Sequence, residues 1–258
     1  MHTKITPLIL TFNEAPNIER TLAKLAWADD IVVLDSGSTD GTLEILAQYR
    51  NVRVFVRTFT THVEQWNFGL VQTGLRTDWV LALDADYVLS MALVKEIGLL
   101  VETNDVTGYQ ASFDYCVNGR PLRGAAYPPV VALFRKANAH YVQDGHTQRL
   151  QTVGNIKALH GRILHDDRKP LSQWLVAQAR YMRLEAEKLS TVPLAELGSA
   201  DRLRKMIVVA PFVMLLFCLF VRGNILDGWA GVFYALQRTT AEAILSLFLL
   251  QRKLEGKR

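Results

Sequence analysis

Strand and helix signals alternate four times within the first hundred residues, and no other feature narrows the choice of fold as far. Ile5–Phe12 is an apolar run of strand length, followed by a helical pattern with Ile18, Leu22 and Leu25 on one side. Asp30–Leu34 is apolar after its first residue, as in strands covered on both faces in parallel sheets. Ser38-Thr39-Asp40 offers N-cap side chains to a helix reaching about Tyr49. Val52–Val56 and Trp79–Leu83 are the third and fourth strands, each followed by a helix, over Val63–Leu75 and Met91–Val101. Alternation of this kind predicts a doubly wound α/β sheet with right-handed crossovers.

The rhythm changes after Asn104. Tyr109–Val117, Val130–Arg135 and Ile156–Leu164 read as strands separated by NGR, YPP and QDG turns, an antiparallel or mixed extension of the sheet. Leu175, Ala179, Met182, Ala186 and Leu189 then keep helical spacing on one face. Pro193 and Gly198 mark a linker, so we expect a domain over 1–192 and a C-terminal helical region over 193–258. Half of the residues are hydrophobic, which excludes a disordered chain, and a net charge of +4 is too small to indicate a nucleic-acid partner. Cys116 and Cys218 form no metal or disulfide pattern, which fits a reducing compartment.

Two apolar strands stop at aspartates: IVVLDSGSTDGTLEIL at Asp35 and VLALDADYVLS at Asp84. In open α/β sheets, ligands sit beyond the carboxyl ends of the strands. Asp86 follows two residues later, so the side chains of DAD converge if the chain turns there. Paired carboxylates are hard ligands that suit Mg²⁺ or Mn²⁺ shared with phosphate oxygens. Asp35, at the neighbouring strand end, is placed to accept hydrogen bonds from a base or ribose. Asp40 is read as a turn or cap residue.

LILTFNEAPNIERTL, IVVLDSGSTDGTLEI, EQWNFGL and VLALDADYVLS, in this order and spacing, resemble the GT-A domain of family 2 glycosyltransferases. LFRKANAHYVQDGHTQRL, LHGRILHDDRKPLSQWL and ILDGWAGVFYAL are similar to a bacterial branch, the lipopolysaccharide-core β-glucosyltransferases. The resemblance implies a GT-A nucleotide-diphospho-sugar transferase fold with a mostly parallel central sheet and helices on both faces. It implies Thr11, Asn13 and Glu14 near the nucleotide, Asp35 at the base, and Asn67 beside the sugar nucleotide. Asp84 would face the ribose or the metal, and Asp86 the metal and diphosphate. Two positions depart from relatives: Asp35-Ser36 where many have two aspartates, and His146-Thr147 where the core enzymes commonly have His-Glu.

Transfer from a nucleoside-diphosphate sugar requires a neutralised leaving group and a base for the acceptor hydroxyl. Asp144 and then His146, in QDGHTQRL, are the candidate bases, and one base opposite the leaving group gives inversion. His165 is a candidate third metal ligand, and Arg168 a candidate cation for the diphosphate. A polyprenyl-phosphate glycosyltransferase and a non-catalytic nucleotide-binding membrane adaptor are the alternatives. The first would need no strong base, and the second would transfer nothing.

Met206–Val221 is apolar around Pro211 and, at about 24 Å as a helix, short for a bilayer core of ~30 Å. Ile225–Leu250 is a second apolar segment. On a helix, Asp227, Arg238, Glu242 and Arg252 form one stripe, with Arg238 and Glu242 an i,i+4 pair. These amphipathic helices, flanked by Arg202, Arg204, Lys205 and Arg222, point to the cytoplasmic face of the inner membrane, with the chain peripheral or re-entrant. A buried helical pair or a homodimer is the alternative. The expected partners are therefore a sugar nucleotide, a glycolipid or lipid-linked saccharide acceptor, and a membrane surface.

Overall fold

The structure, a computed structural model, describes residues 4–101, 105–125, 127–144 and 147–255. Two units divide the chain, Met1–Gly119 with Tyr127–Arg168 and Arg120–Ala126 with Lys169–Arg258.

In the first unit, β1 (Ile5–Thr11), β2 (Ile31–Asp35), β3 (Val52–Val56) and β4 (Trp79–Asp84) alternate with α1 (Ile18–Ala23), α2 (Thr42–Leu46) and α3 (His62–Gln72). After β4 come β5 (Tyr87–Leu89), α4 (Met91–Leu99) and β6 (Val106–Val117). A two-residue strand, β7 (Arg120–Pro121), belongs to the second unit. β8 (Val130–Arg135), a hairpin of β9 (Ala139–Asp144) and β10 (Thr147–Thr152), and β11 (Asn155–His165) complete the first. The main sheet runs β3-β2-β1-β4-β8-β6-β11-β5. Its first four strands are parallel, β8 is antiparallel to both neighbours, β11 is parallel to β6, and β5 is antiparallel to β11.

Strand alternation sorts side chains to two cores. Ile5, Ile9, Leu81 and Leu83 face one way with Ile18 and Leu22 of α1 and Leu93 and Ile97 of α4. Leu8, Val32, Val80 and Ala82 face the other way with Trp66 and Leu70 of α3. Helices thus cover both faces, as the uniformly apolar strands require. A Cβ on Gly69 would stand 2.9 Å from Leu8 Cδ2, so the missing side chain is what lets α3 lie close to the sheet. α2 is shorter than expected, and Gly41, at φ 95°, occupies its N-cap position. Asp40 accepts instead from Thr42 N at 3.1 Å and from Ala15 N at 3.0 Å, a turn role that ties two loops together. The β9–β10 hairpin and β5 have no counterpart in the sequence reading.

The second unit contains α5 (Leu171–Thr191), α6 (Ser199–Arg204), α7 (Val209–Leu216) continuing as a π-helical turn over Phe217–Val221, and α8 (Gly228–Glu255). α5 and α8 pack through Met182, Ala186, Leu189, Ala241 and Leu245. Pro211 stands in the first turn of α7, and the irregular backbone lies four residues before it. A proline ring clashes with the carbonyl four residues back. Here that residue is Ile207, which takes φ 59° and whose carbonyl accepts from Ser246 Oγ at 2.6 Å. The expected Arg238–Glu242 pair is also replaced: Glu242 is bonded to Arg204, with Nη2 to Oε1 at 2.8 Å. Both free cysteines are buried.

Candidate functional site

The parallel register sets the frame. Thr11 of β1 lies beside Asp35 of β2, and Leu10 lies beside Asp84 of β4. Asp35 and Asp84 therefore end the two strands that flank β1. At ordinary strand spacing their backbones stand about 10 Å apart along the carboxyl edge of the sheet.

Asp35 is fully buried. One carboxylate oxygen accepts from Gly37 N at 2.8 Å and Ser38 N at 2.7 Å. The other accepts from Ser38 Oγ at 2.6 Å and Thr11 Oγ1 at 2.8 Å. Asn13, at φ 54°, locks the same loop: its N–H donates to Ser38 Oγ and its Oδ1 accepts from Thr39 N. Glu14 is buried, donates its backbone N–H to Thr42 Oγ1, and accepts from Asn17 Nδ2 through its side chain. Thr11, Asn13, Glu14 and Asp35 thus form one brace that shapes the rim beside β1 and β2.

Asp84, Ala85 and Asp86 make the turn from β4 to β5, pinned by Thr21 Oγ1 donating to the Ala85 carbonyl at 2.7 Å. β11 delivers His165 opposite Tyr87 on one side and Tyr115 on the other. His165 Nε2 stands 3.0 Å from Asp86 Oδ2. Burial works against the imidazolium, but the carboxylates of Asp86, Asp84 and Asp167 outweigh it and raise the histidine's pKa. The ring is boxed by Tyr87, Phe113, Tyr115 and Tyr127, with centroids 4.8 to 6.4 Å away. Tyr87 and Tyr127 join their hydroxyls at 2.9 Å. Nδ1 of His165 is buried without a hydrogen-bond partner among the described residues.

Asn67 sits in α3 and spends its whole amide on β9, donating to the Tyr141 carbonyl and accepting from Tyr141 N, both at 2.9 Å. Tyr141 stacks on Trp66 at 5.2 Å. Burial, followed by the Asp84 charge, pushes up the pKa of both Tyr141 and Tyr87, so both phenols lie within the field of Asp84. Asp144 ends β9; His146 lies outside the described residues.

After His165 the chain ties back to α1. Asp166 binds Arg20 and Arg168, each nitrogen within 3.0 Å of Oδ2, and accepts from Gly119 N. Asn17 bridges Glu14, Asp167 and the backbone of Arg168. Arg168 is therefore held at the rim by Asp166, with part of its side chain exposed. Arg20, Asn17, Tyr115 and Tyr127 were not foreseen. The HDDR stretch after an apolar strand was the only available signal, since their convergence depends on contacts about 150 residues apart in sequence.

Among the described residues no group of three or more His, Cys, Asp or Glu side chains forms a ready metal cage. The donors at the β4–β5 turn are two carboxylates and an imidazole already paired to one of them. That set fits a hard divalent cation that takes one or two carboxylates and completes its shell with phosphate oxygens and water.

Known proteins share both fold and sequence with this chain. The chain is 25% identical over 229 residues to LpsC of Rhizobium meliloti, a lipopolysaccharide core biosynthesis glycosyltransferase, covering 82% of this chain and 79% of that protein. An uncharacterized glycosyltransferase of Rickettsia bellii is 37% identical over 109 residues, a match that covers 42% of this chain but only 36% of that protein's length. Residues 1–349 of S. aureus TarS, solved with UDP-GlcNAc, superpose with a TM-score of 0.51 at 16% identity, covering 99% of this chain and 93% of that one. At that identity the likeness establishes the GT-A fold. The family model for Glycosyl transferase family 2 matches residues 8–161, the stretch that carries β1, the Asp35 brace, the DAD turn and the β9 strand. With more than half of its length in that match, the chain belongs to glycosyl transferase family 2.

Proposed function

We propose that this protein is an inverting, metal-dependent hexosyltransferase. It moves a sugar from a nucleoside diphosphate to a hydroxyl of a glycolipid or lipid-linked saccharide in lipopolysaccharide-type synthesis, at the cytoplasmic face of the inner membrane. The observation that carries the reading is the carboxyl edge of the sheet, where Asp35 and Asp84 end the strands flanking β1 and Asp86 pairs with His165.

Each part of the site has a chemical task. The Thr11–Asp35–Asn13 brace gives the nucleotide a wall already fixed by hydrogen bonds within the protein. Asp84, Asp86 and His165 are the residues that would hold Mg²⁺ or Mn²⁺. When bound, the cation neutralises charge that develops on the leaving diphosphate. Arg168, steadied by Asp166, adds a fixed positive charge at the same rim. The acceptor oxygen attacks the anomeric carbon from the face opposite the diphosphate. Its proton passes to Asp144 or His146, the new glycosidic bond forms as the bond to the diphosphate oxygen breaks, and the anomeric configuration inverts. Asn67 acts through Tyr141, fixing the strand that ends at Asp144.

The LpsC and TarS likenesses support this class of donor and acceptor, since those proteins are described as a lipopolysaccharide core glycosyltransferase and as a complex with UDP-GlcNAc. The test is donor turnover with Mn²⁺ or Mg²⁺, screened over nucleotide sugars. Asp86→Ala is expected to lower turnover by at least about a thousandfold, with the chain still folded by circular dichroism at the assay temperature. Full turnover by Asp86→Ala would end the metal reading. Asp144→Ala and His146→Ala, assayed separately, identify the base by a fall in kcat with little change in KM for the donor. A double variant with full activity would instead favour a phosphate acceptor.

A further inference from the structure

The second unit buries a cluster of charge: Glu185, Lys188, Asp201, Arg204 and Glu242 are paired among its helices. Arg204 sits between Glu242, Asp201 and Glu185, with nitrogen–oxygen distances of 2.8, 3.0 and 3.7 Å. Lys188 joins Asp201 at 3.4 Å. Glu242 is 2% exposed and Glu185 is also buried. Asp227 pairs with Arg123 at 3.2 Å. Around α7 and the start of α8, several large apolar side chains take the outside. On α7 and its π turn, Phe212, Leu216 and Phe220 are 66%, 56% and 62% exposed, at positions i, i+4 and i+8. Leu226 and Trp229 carry the same surface to the start of α8, Trp229 being 86% exposed. On the opposite side of these helices Ala210, Cys218, Tyr234 and Ala235 are buried. Scattered exposed apolar residues are ordinary on soluble proteins. Exposed Phe, Leu and Trp side chains in a unit that also buries an ion-pair cluster match membrane proteins, where ionisable groups face inward and pair.

We propose that α7, α8 and the bend between them form a monotopic wedge that seats in one anionic leaflet without crossing the bilayer. This deepens the membrane part of the reading above and is independent of its donor chemistry. Geometry sets the mode. The thirteen residues of α7 and its π turn extend about 20 Å, short of a ~30 Å hydrocarbon core. No single helix among the described residues is long and apolar enough to cross, and Val209–Val221 and Asn224–Glu255 meet at a 68° bend. Gly223 at φ 72° and Gly228 at φ 63° make that bend, and Gly231 lets the Asn224 carbonyl press against α8, since a Cβ there would lie 1.8 Å from it. Charge selects the leaflet. Between Met206 and Gln237 only Arg222 and Asp227 carry charge, and Asp227 is neutralised by Arg123. Arg202 and Lys205 precede this stretch, and Arg222 is exposed within it. A second copy of the chain placed on this face by two-fold symmetry would set like charges against like. Anionic headgroups would pair them.

The test is flotation of the full chain with phosphatidylcholine vesicles, with and without phosphatidylglycerol. Binding is expected with the anionic vesicles and should weaken as salt rises. Phe220→Asp and Leu226→Asp each replace an exposed side chain, so the melting temperature should hold while partitioning falls by roughly tenfold or more. Trp229 fluorescence, taken as the difference from Trp229→Phe, should be quenched more by bromines near the headgroups than by bromines near the acyl ends. Stronger quenching at the bilayer centre would overturn the monotopic mode. Vesicle binding that survives both aspartate substitutions, or a stable dimer in sedimentation with no vesicle binding, would overturn the wedge itself. Calorimetry of nucleotide-sugar binding to the same variants keeps the two proposals apart. Vesicle binding without donor binding would spare the wedge and remove the catalytic reading, and the reverse pattern would do the opposite.

Discussion

Asp35 offers a direct contest between two roles for one carboxylate. As a ligand contact, its replacement would weaken nucleotide binding and leave the fold alone. The structure gives it four internal donors, two backbone N–H groups on one oxygen and two hydroxyls on the other, in a fully buried setting. Asp35→Asn keeps the shape and removes the charge. One oxygen can still serve Gly37 and Ser38. The other is replaced by an amino group that donates, so both hydroxyls must turn to accept. Ser38 Oγ already accepts from Asn13 N. Hydrogen bonds to a charged partner contribute roughly 1.5–3 kcal/mol and neutral ones about 1. Weakening the two N–H bonds and reversing the two hydroxyl bonds should cost about 2–4 kcal/mol in total. In a unit of this size that lowers the melting temperature by roughly 5 °C or more. Thermal unfolding followed by near-UV circular dichroism, beside nucleotide titration calorimetry, reads both quantities. A variant that melts within about 1 °C of the parent while losing nucleotide affinity would refute the brace and leave Asp35 as a ligand contact only.

Three further outcomes follow from the geometry. Asn67→Ala strips the Tyr141 backbone of a donor and an acceptor and should destabilise by about 1–3 kcal/mol; amide exchange at Tyr141 should speed up by at least about tenfold, and unchanged exchange would remove the clamp. Arg204→Met leaves Glu242 buried without its cation, while Glu185 keeps Lys188, and should cost about 3–5 kcal/mol in urea unfolding; adding Glu242→Met should recover a large part of it. Burial raises the Glu96 pKa, but hydrogen bonds from Gly161 N, His160 N and the His160 ring outweigh it and leave it below the ordinary 4.5. A depressed folded pKa stabilises above the unfolded value and is lost as pH falls through the folded one, so Glu96→Gln should flatten the acid side of the melting-temperature profile below about pH 4.5.

The parallel half of the fold was legible because β1, β2 and β4 are buried on both faces and the strands end in turn signals. Val52–Val56 matches its strand, and Asp35 and Asp84 sit at strand ends as the apolar runs required. The β9–β10 hairpin was not legible. AHYVQD and TQRLQT hold few apolar residues and alternate only weakly, and part of what holds β9 is the Asn67 amide, a long-range hydrogen bond that leaves no periodicity. At the C-terminus the polar stripe was visible, but its direction was not. Helical spacing says which residues share a face; whether that face points to water or to other helices depends on α5 and α6, whose Glu185, Asp201 and Arg204 complete the ion pairs.

The candidate site shows the same division at finer scale. DAD is a local motif, so its turn could be expected; the arrival of His165 beside it could not. β11 pairs with β6 up to Ala158 opposite Gln110, then bulges and resumes with Arg162 opposite Ser112, a shift of two residues. Without that shift Ile163 would face Tyr115, and an apolar side chain would stand where the imidazole meets Asp86. Bulges leave backbone groups unpaired, and here α4 takes them up. Glu96 accepts from His160 N and Gly161 N, and Ser90 Oγ, the N-cap of α4, accepts from Arg162 N at 3.2 Å. Gly161 is required for the approach, since a Cβ there would lie 2.3 Å from Leu93 Cα. A glycine, a glutamate and a serine remote from any ligand thus set the register of the strand. That register carries the histidine to the aspartate, so the geometry of the proposed metal site depends on α4 as directly as on its own side chains.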